Sequence, residues 1–148
     1  MVWVIYFVIA MFATTVLTRF KNIKRLWVMG LATMLFLYII DSTLMDIGAY
    51  TYHDSNFIFG GLPIFYLLAG FPGGILFAYF YPANRKLQFP YVLLAVAIFI
   101  LMEIIIKWFG YIEYIKWNIV HSIFLDILGF MAILWLGQWL NATGKGEK

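Results

Sequence analysis

Apolar residues run through this chain in five long stretches, broken by short polar or glycine-containing segments. They cover about Met1–Thr18, Leu26–Gly48, Leu62–Tyr81, Phe89–Phe109 and Ile115–Leu140. Each is close to the roughly 20 residues that an α-helix needs to cross a bilayer. The first is the shortest. The pattern predicts an all-α fold, an integral membrane bundle of five transmembrane helices. Residues 1–140 form one helical domain and 141–148 a short, mobile cytoplasmic tail. The third stretch opens on Gly60-Gly61-Leu62-Pro63 and is interrupted by Gly70-Phe71-Pro72-Gly73-Gly74. Proline removes a backbone donor, so a break with freed carbonyls near Ala69 and Gly70, or a kinked and tightly packed helix, is expected there.

Composition agrees with a bilayer environment. The chain is 65% hydrophobic, 21% aromatic and only 11% charged, with a mean hydropathy of +0.93. Its net charge of +3 does not indicate nucleic acid, because the basic residues cluster in inter-segment loops. Arg19, Lys21, Lys24, Arg25, Arg85, Lys86, Lys145 and Lys148 fall on one side of a five-span arrangement, and only Lys107 and Lys116 on the other. That asymmetry places the C-terminus in the cytoplasm and the N-terminus outside, in the cell membrane. Trp3, Tyr6, Trp108, Tyr111, Tyr114 and Trp117 are expected as anchors at the outer interface. Trp27, Tyr81, Trp135 and Trp139 are expected at the inner one. A basic n-region and a small-residue cleavage site are both missing around residues 1–18, which fits an uncleaved first span. The Asn141-Ala142-Thr143 sequon would face the cytoplasm, so it is not expected to be glycosylated.

The absence of cysteine excludes disulfides, thiolate metal sites and thiol catalysis. His53 and His121 alone make no metal site, and no phosphate loop or nucleophile elbow occurs. Neither a metal nor a cofactor is expected. What remains is a set of ionisable groups inside apolar stretches, which are costly in hydrocarbon and mark sites. At about 1.5 Å per residue, Asp41 lies roughly 21 Å past Trp27, Glu103 about as far past Phe89, and Asp126 roughly 15 Å below the outer surface. Asp46 and His121 lie nearer that surface. Asn118, Ser122 and Asp126 project within about 80° of one another, with Gly129 below and His121 flanking. The candidate polar pocket is therefore Asp41, Glu103, Asn118, His121, Ser122 and Asp126. Several carboxylates together in low dielectric require bound protons, a basic partner or a cation. Each also has a plainer reading: Glu103 as an i, i+4 pair with Lys107, and His121 as an interfacial histidine.

The stretch Leu62-Pro-Ile-Phe-Tyr-Leu-Leu-Ala-Gly-Phe-Pro72 carries one half of a likeness to known proteins. The other half is Glu103 followed by Gly110-Tyr-Ile-Glu-Tyr-Ile-Lys-Trp117-Asn118 and Ser122. Together they resemble a family of small multi-pass membrane proteins common in spore-forming Gram-positive bacteria. The resemblance implies a bacterial cytoplasmic-membrane protein and supplies neither a reaction nor catalytic residues. Two functions stay open. One is a membrane module whose outward-facing acidic pocket binds a small ligand or cation, surrounded by membrane lipids and working within a homo-oligomer or larger membrane complex. The other is a membrane enzyme acting on an isoprenoid or other lipid through carboxyl acid/base chemistry.

Overall fold

A computed structural model describes residues 2–18, 20–53 and 57–144. Each of the five apolar stretches forms a helix: α1 (Val2–Leu17), α2 (Phe20–Asp46), α3 (Ile64–Tyr79), α4 (Arg85–Trp108) and α5 (Ile119–Trp139). Side-chain caps fix two of the starts. Asn84 accepts from the Lys86 N–H at 3.0 Å and Asn118 from the His121 N–H at 3.1 Å, each satisfying a donor that has no partner within its helix. The fifth helix thus starts at Ile119 rather than at Ile115, because its cap Asn118 is extended and the chain before it is the strand Ile112–Tyr114 followed by a bend.

The all-α expectation needs one correction, since short strands join the helices. They are β1 (Tyr50–Tyr52), β2 (Ile58–Phe59), β3 (Leu62–Pro63) and β4 (Ile112–Tyr114). β2 and β3 form a small hairpin that leads into α3. β1 and β4 pair antiparallel, with Tyr50 opposite Tyr114, Thr51 opposite Glu113 and Tyr52 opposite Ile112. Their pairing follows from how α2 and α4 end. Gly48 (φ 74°) and Gly110 (φ 80°) both take the left-handed conformation, each the second residue beyond a helix. The N–H of Ala49 then bonds the carbonyl of Leu44, and that of Tyr111 the carbonyl of Ile106, both at helix-closing geometry. Both chains leave their helices at the same end of the bundle and turn across it, where their extended continuations meet.

The opposite end is basic, with Lys21, Lys24 and Arg25 near the start of α2 and Arg85 and Lys86 at the start of α4. Residues 142–144, at the start of the expected tail, pack against the bundle here. Ala142 is buried, the Gly144 N–H donates to Ala78 O at 2.8 Å, and the Arg25 guanidinium bonds the carbonyls of Thr143 and Gly144. Residues 145–148 of that segment, with Arg19, Asp54, Ser55 and Asn56, lie outside the described residues.

α3 runs unbroken through Pro72, so of the two expectations for this stretch the tightly packed helix holds and the break does not. A Cβ on Gly74 would lie 2.3 Å from Thr33 Oγ1 and 2.6 Å from Met29 O, and one on Gly70 would lie 2.6 Å from Leu37. These glycines let α2 lie directly against α3, and Gly30 of α2 does the same beneath Phe71. The Thr14 hydroxyl of α1 donates to Pro72 O at 3.1 Å. Helices α1, α2 and α3 thereby form one packed group. α4 and α5 form a second, joined to the first by the β1–β4 ribbon and by α5 against α2 near Gly137.

The outer faces of these helices are apolar. Leu31, Leu35 and Ile39 on α2, Leu94, Ile98, Leu101 and Ile105 on α4, and Phe124, Leu128 and Trp135 on α5 are all exposed at helical spacing. In water such continuous stripes would be a severe liability; in lipid they are ordinary. α2, α4 and α5 are long and apolar enough to cross a membrane, whereas α1 and α3 are shorter apolar helices. The chain is that of a helical membrane protein.

Candidate functional site

The β1–β4 ribbon forms a lid of aromatic side chains. Alternation along each strand sends Tyr50, Tyr52, Ile112 and Tyr114 to the face that meets the helices, and Thr51 and Glu113 to the other. On the outer face His53 Nε2 meets Glu113 Oε2 at 3.0 Å, an exposed contact. Trp3 of α1 closes the lid from beneath, edge-on to Tyr52, Tyr66 and Tyr111. It is only 2% exposed, so it is a core residue and not the interfacial anchor expected from its type. Trp108, Trp135 and Trp139 do stand exposed, as anchors should.

Asp41, 6% exposed, lies directly beneath this lid. The Tyr50 hydroxyl donates to its Oδ1 at 2.5 Å and the Tyr66 hydroxyl to its Oδ2 at 2.7 Å. One donor thus comes from β1 and the other from the first turn of α3, and both carboxylate oxygens are satisfied without a cation. Burial, reinforced by the neighbouring Asp41, pushes the Tyr50 and Tyr52 hydroxyls far above the ordinary 10.0, which keeps them as donors.

Glu103 occupies the equivalent position under the other strand. Its Oε1 accepts from the Tyr114 hydroxyl at 2.5 Å and from the Ser122 hydroxyl at 2.9 Å. Trp117 Nε1 donates to the Ser122 oxygen at 2.9 Å, extending the chain of donors. Lys107 does not pair with Glu103. Its ammonium lies 3.7 Å from the centre of the Tyr114 ring, a cation–π contact one residue removed from the carboxylate. Burial first, then the hydrogen bond to Glu103, raises the Tyr114 hydroxyl above its ordinary value.

Asp126 differs from both. Its Oδ2 is buried and, among the described residues, has no hydrogen-bond partner. Since α5 begins at Ile119, Asp126 lies about 10 Å into the helix, nearer the ribbon than a start at Ile115 would put it. Asp41, Glu103, Ser122 and Asp126 line one cavity of about 50 Å³. That is room for water molecules or a small cation and little more. Below it, an apolar cleft of about 420 Å³ separates the α1–α3 group from α4 and α5, and Asp41 and Asp126 line its upper end.

Two expected pocket residues lie elsewhere. The Asn118 side chain is committed to capping α5, and the exposed His121 ring packs on Trp117 with centroids 5.0 Å apart. Neither lines the cavity. Asp46 is exposed at the end of α2. Conversely, Tyr50, Tyr66, Tyr114 and Trp117 carry the donors of the site, and the extended Tyr50-Thr51-Tyr52 alternation was the available signal for the first of them. Among the described residues no three His, Cys, Asp or Glu side chains are arranged to hold a metal ion. Comparison of the chain with protein-family profiles, curated proteins and solved structures finds no match.

Proposed function

We propose that the chain spans a bacterial cell membrane five times, with its N-terminus outside and its C-terminus in the cytoplasm. The ribbon end then faces outward, and the carboxylate-lined cavity beneath it binds a small cationic or hydrogen-bond-donating ligand. The protein works surrounded by membrane lipids, as a homo-oligomer or within a larger membrane complex. Membership of the spore-former family that it resembles belongs to the same reading. The basic residues at the opposite end support the orientation, with α1 and α3 as the two shorter spans.

The observation that carries the binding reading is the unpartnered Oδ2 of Asp126, in a cavity it shares with Asp41 and Glu103. The other two carboxylates have hydroxyl donors, while this oxygen is buried and still lacks one; burying such a group unpaired costs about 1–3 kcal/mol or more. A ligand donor or positive charge supplies the missing partner. Chelation of a metal by several carboxylates is disfavoured by their arrangement, which leaves a monovalent or organic cation as the fitting class.

The apolar cleft favours a second reading, an enzyme acting on an isoprenoid or other lipid. In that case Asp126, lining both spaces, is the carboxyl group that gives or takes the proton.

Thermal unfolding in lipid nanodiscs between pH 5 and 8 separates site from structure. Methylammonium, sodium or potassium should raise the wild-type Tm saturably, because a ligand bound only to the folded state stabilises it by about 2.7 kcal/mol at a hundred times its Kd. Asp126→Asn should abolish the response. Identical behaviour of wild type and variant would make the acids structural contacts.

A further inference from the structure

The cleft below the acids has a feature that packing does not require. Four glycines bear on it or its walls. Gly70 and Gly74 are demanded by α2, whose atoms a Cβ would strike. Gly73 on α3 and Gly129 on α5 are not, because a Cβ at either would meet no atom within 4 Å. Both line the cleft, from opposite sides. Glycine inside a helix costs about 1 kcal/mol relative to alanine, so the sequence leaves open a space that neighbouring atoms leave empty.

The lining has a polarity. Among the described residues its only charged side chains are Asp41 and Asp126, both at the ribbon end, and the remainder is overwhelmingly aliphatic and aromatic. The cleft extends from Tyr66 to Phe80 along α3, about 21 Å of helix. Its volume of about 420 Å³ is within the usual range of small-ligand sites.

We propose that the cleft holds a single-chain amphiphile. Its hydrocarbon chain lies between Gly73 and Gly129, and its cationic head, an ammonium, rests at Asp126 and Asp41. This rests on the binding reading above and names the ligand class for it. An anionic head group such as a phosphate would meet two carboxylates with no basic side chain among the described lining residues, so it is disfavoured at that end. The chain points toward the basic end, as the tail of an outer-leaflet lipid does when the ribbon faces outward.

Photolabelling in nanodiscs with a diazirine-bearing dodecylammonium, followed by peptide mapping, tests this. Label should appear on α3 and α5 peptides that line the cleft. Unlabelled dodecylammonium should compete at least about tenfold better than methylammonium, since each buried methylene adds to affinity. Dodecyl phosphate should compete no better than methylammonium. Gly129→Leu, with Gly73→Leu as an independent variant, should remove cleft labelling while leaving the methylammonium Tm shift intact. Labelling that ignores both leucines, or that dodecyl phosphate displaces equally well, overturns the amphiphile. A methylammonium shift without alkyl preference sinks the amphiphile but leaves the cation site standing. Loss of both sinks the site itself.

Discussion

Asp41 is held in an apolar setting by two phenol donors, which makes those donors the most informative single residues. Tyr50→Phe removes the donor to Oδ1 and leaves the ring in place. We expect a loss of about 1.5–3 kcal/mol, the range for a hydrogen bond to a charged group, measured as a lower Tm in nanodiscs. The same substitution has a pH signature. Burial raises the folded-state Tyr50 hydroxyl far above its ordinary 10.0, so the folded protein keeps a proton that the unfolded chain releases. The Tyr50 contribution to stability is therefore level below pH 10 and is lost as the pH rises beyond it, so Tyr50→Phe should make the alkaline fall shallower. Counting helical rise brings the three carboxylates toward one end of their helices, but the start of α5 at Ile119 puts Asp126 nearer the ribbon than the count from Ile115 does. Their donors are not legible in the sequence. Interfacial aromatics are expected from composition, and composition cannot distinguish Trp3 or Tyr50, which are buried, from Trp108, which is exposed.

All five helices are visible in the apolar periodicity, yet the strands are not, because each is only two or three residues long. What places β1 and β4 is a pair of helix stops, Gly48 and Gly110, each followed by short period-2 alternation. A hydropathy window averages over such a signal. The third helix shows the converse ambiguity, because its sequence allows either a break or a tightly packed helix. Gly70, Pro72 and Gly74 look like a break, since each disfavours helix in isolation, but tertiary packing against α2 and α1 outweighs that preference. Two alanine substitutions separate packing glycines from the others. Gly74→Ala should destabilise by about 1–3 kcal/mol through overpacking against Thr33 and Met29. Gly129→Ala, which meets nothing, should be neutral or gain up to about 1 kcal/mol from helix propensity. Thermal unfolding of the two variants side by side measures both.

On the scale of the whole molecule, two helix groups are bridged by a ribbon at one end, with basic residues at the other and a cavity and cleft between. Function depends on which end faces outward, because that decides from where a ligand reaches Asp126. The cysteine-free sequence allows a direct measurement. Single cysteines at His53, exposed on the ribbon, and at Ala83, exposed just before α4, can be probed in intact cells with a membrane-impermeant maleimide. The account predicts that His53→Cys reacts at once and that Ala83→Cys reacts only after the membrane is permeabilised. Labelling of Ala83→Cys in intact cells, with His53→Cys protected, would contradict it, since the carboxylates would then open to the cytoplasm.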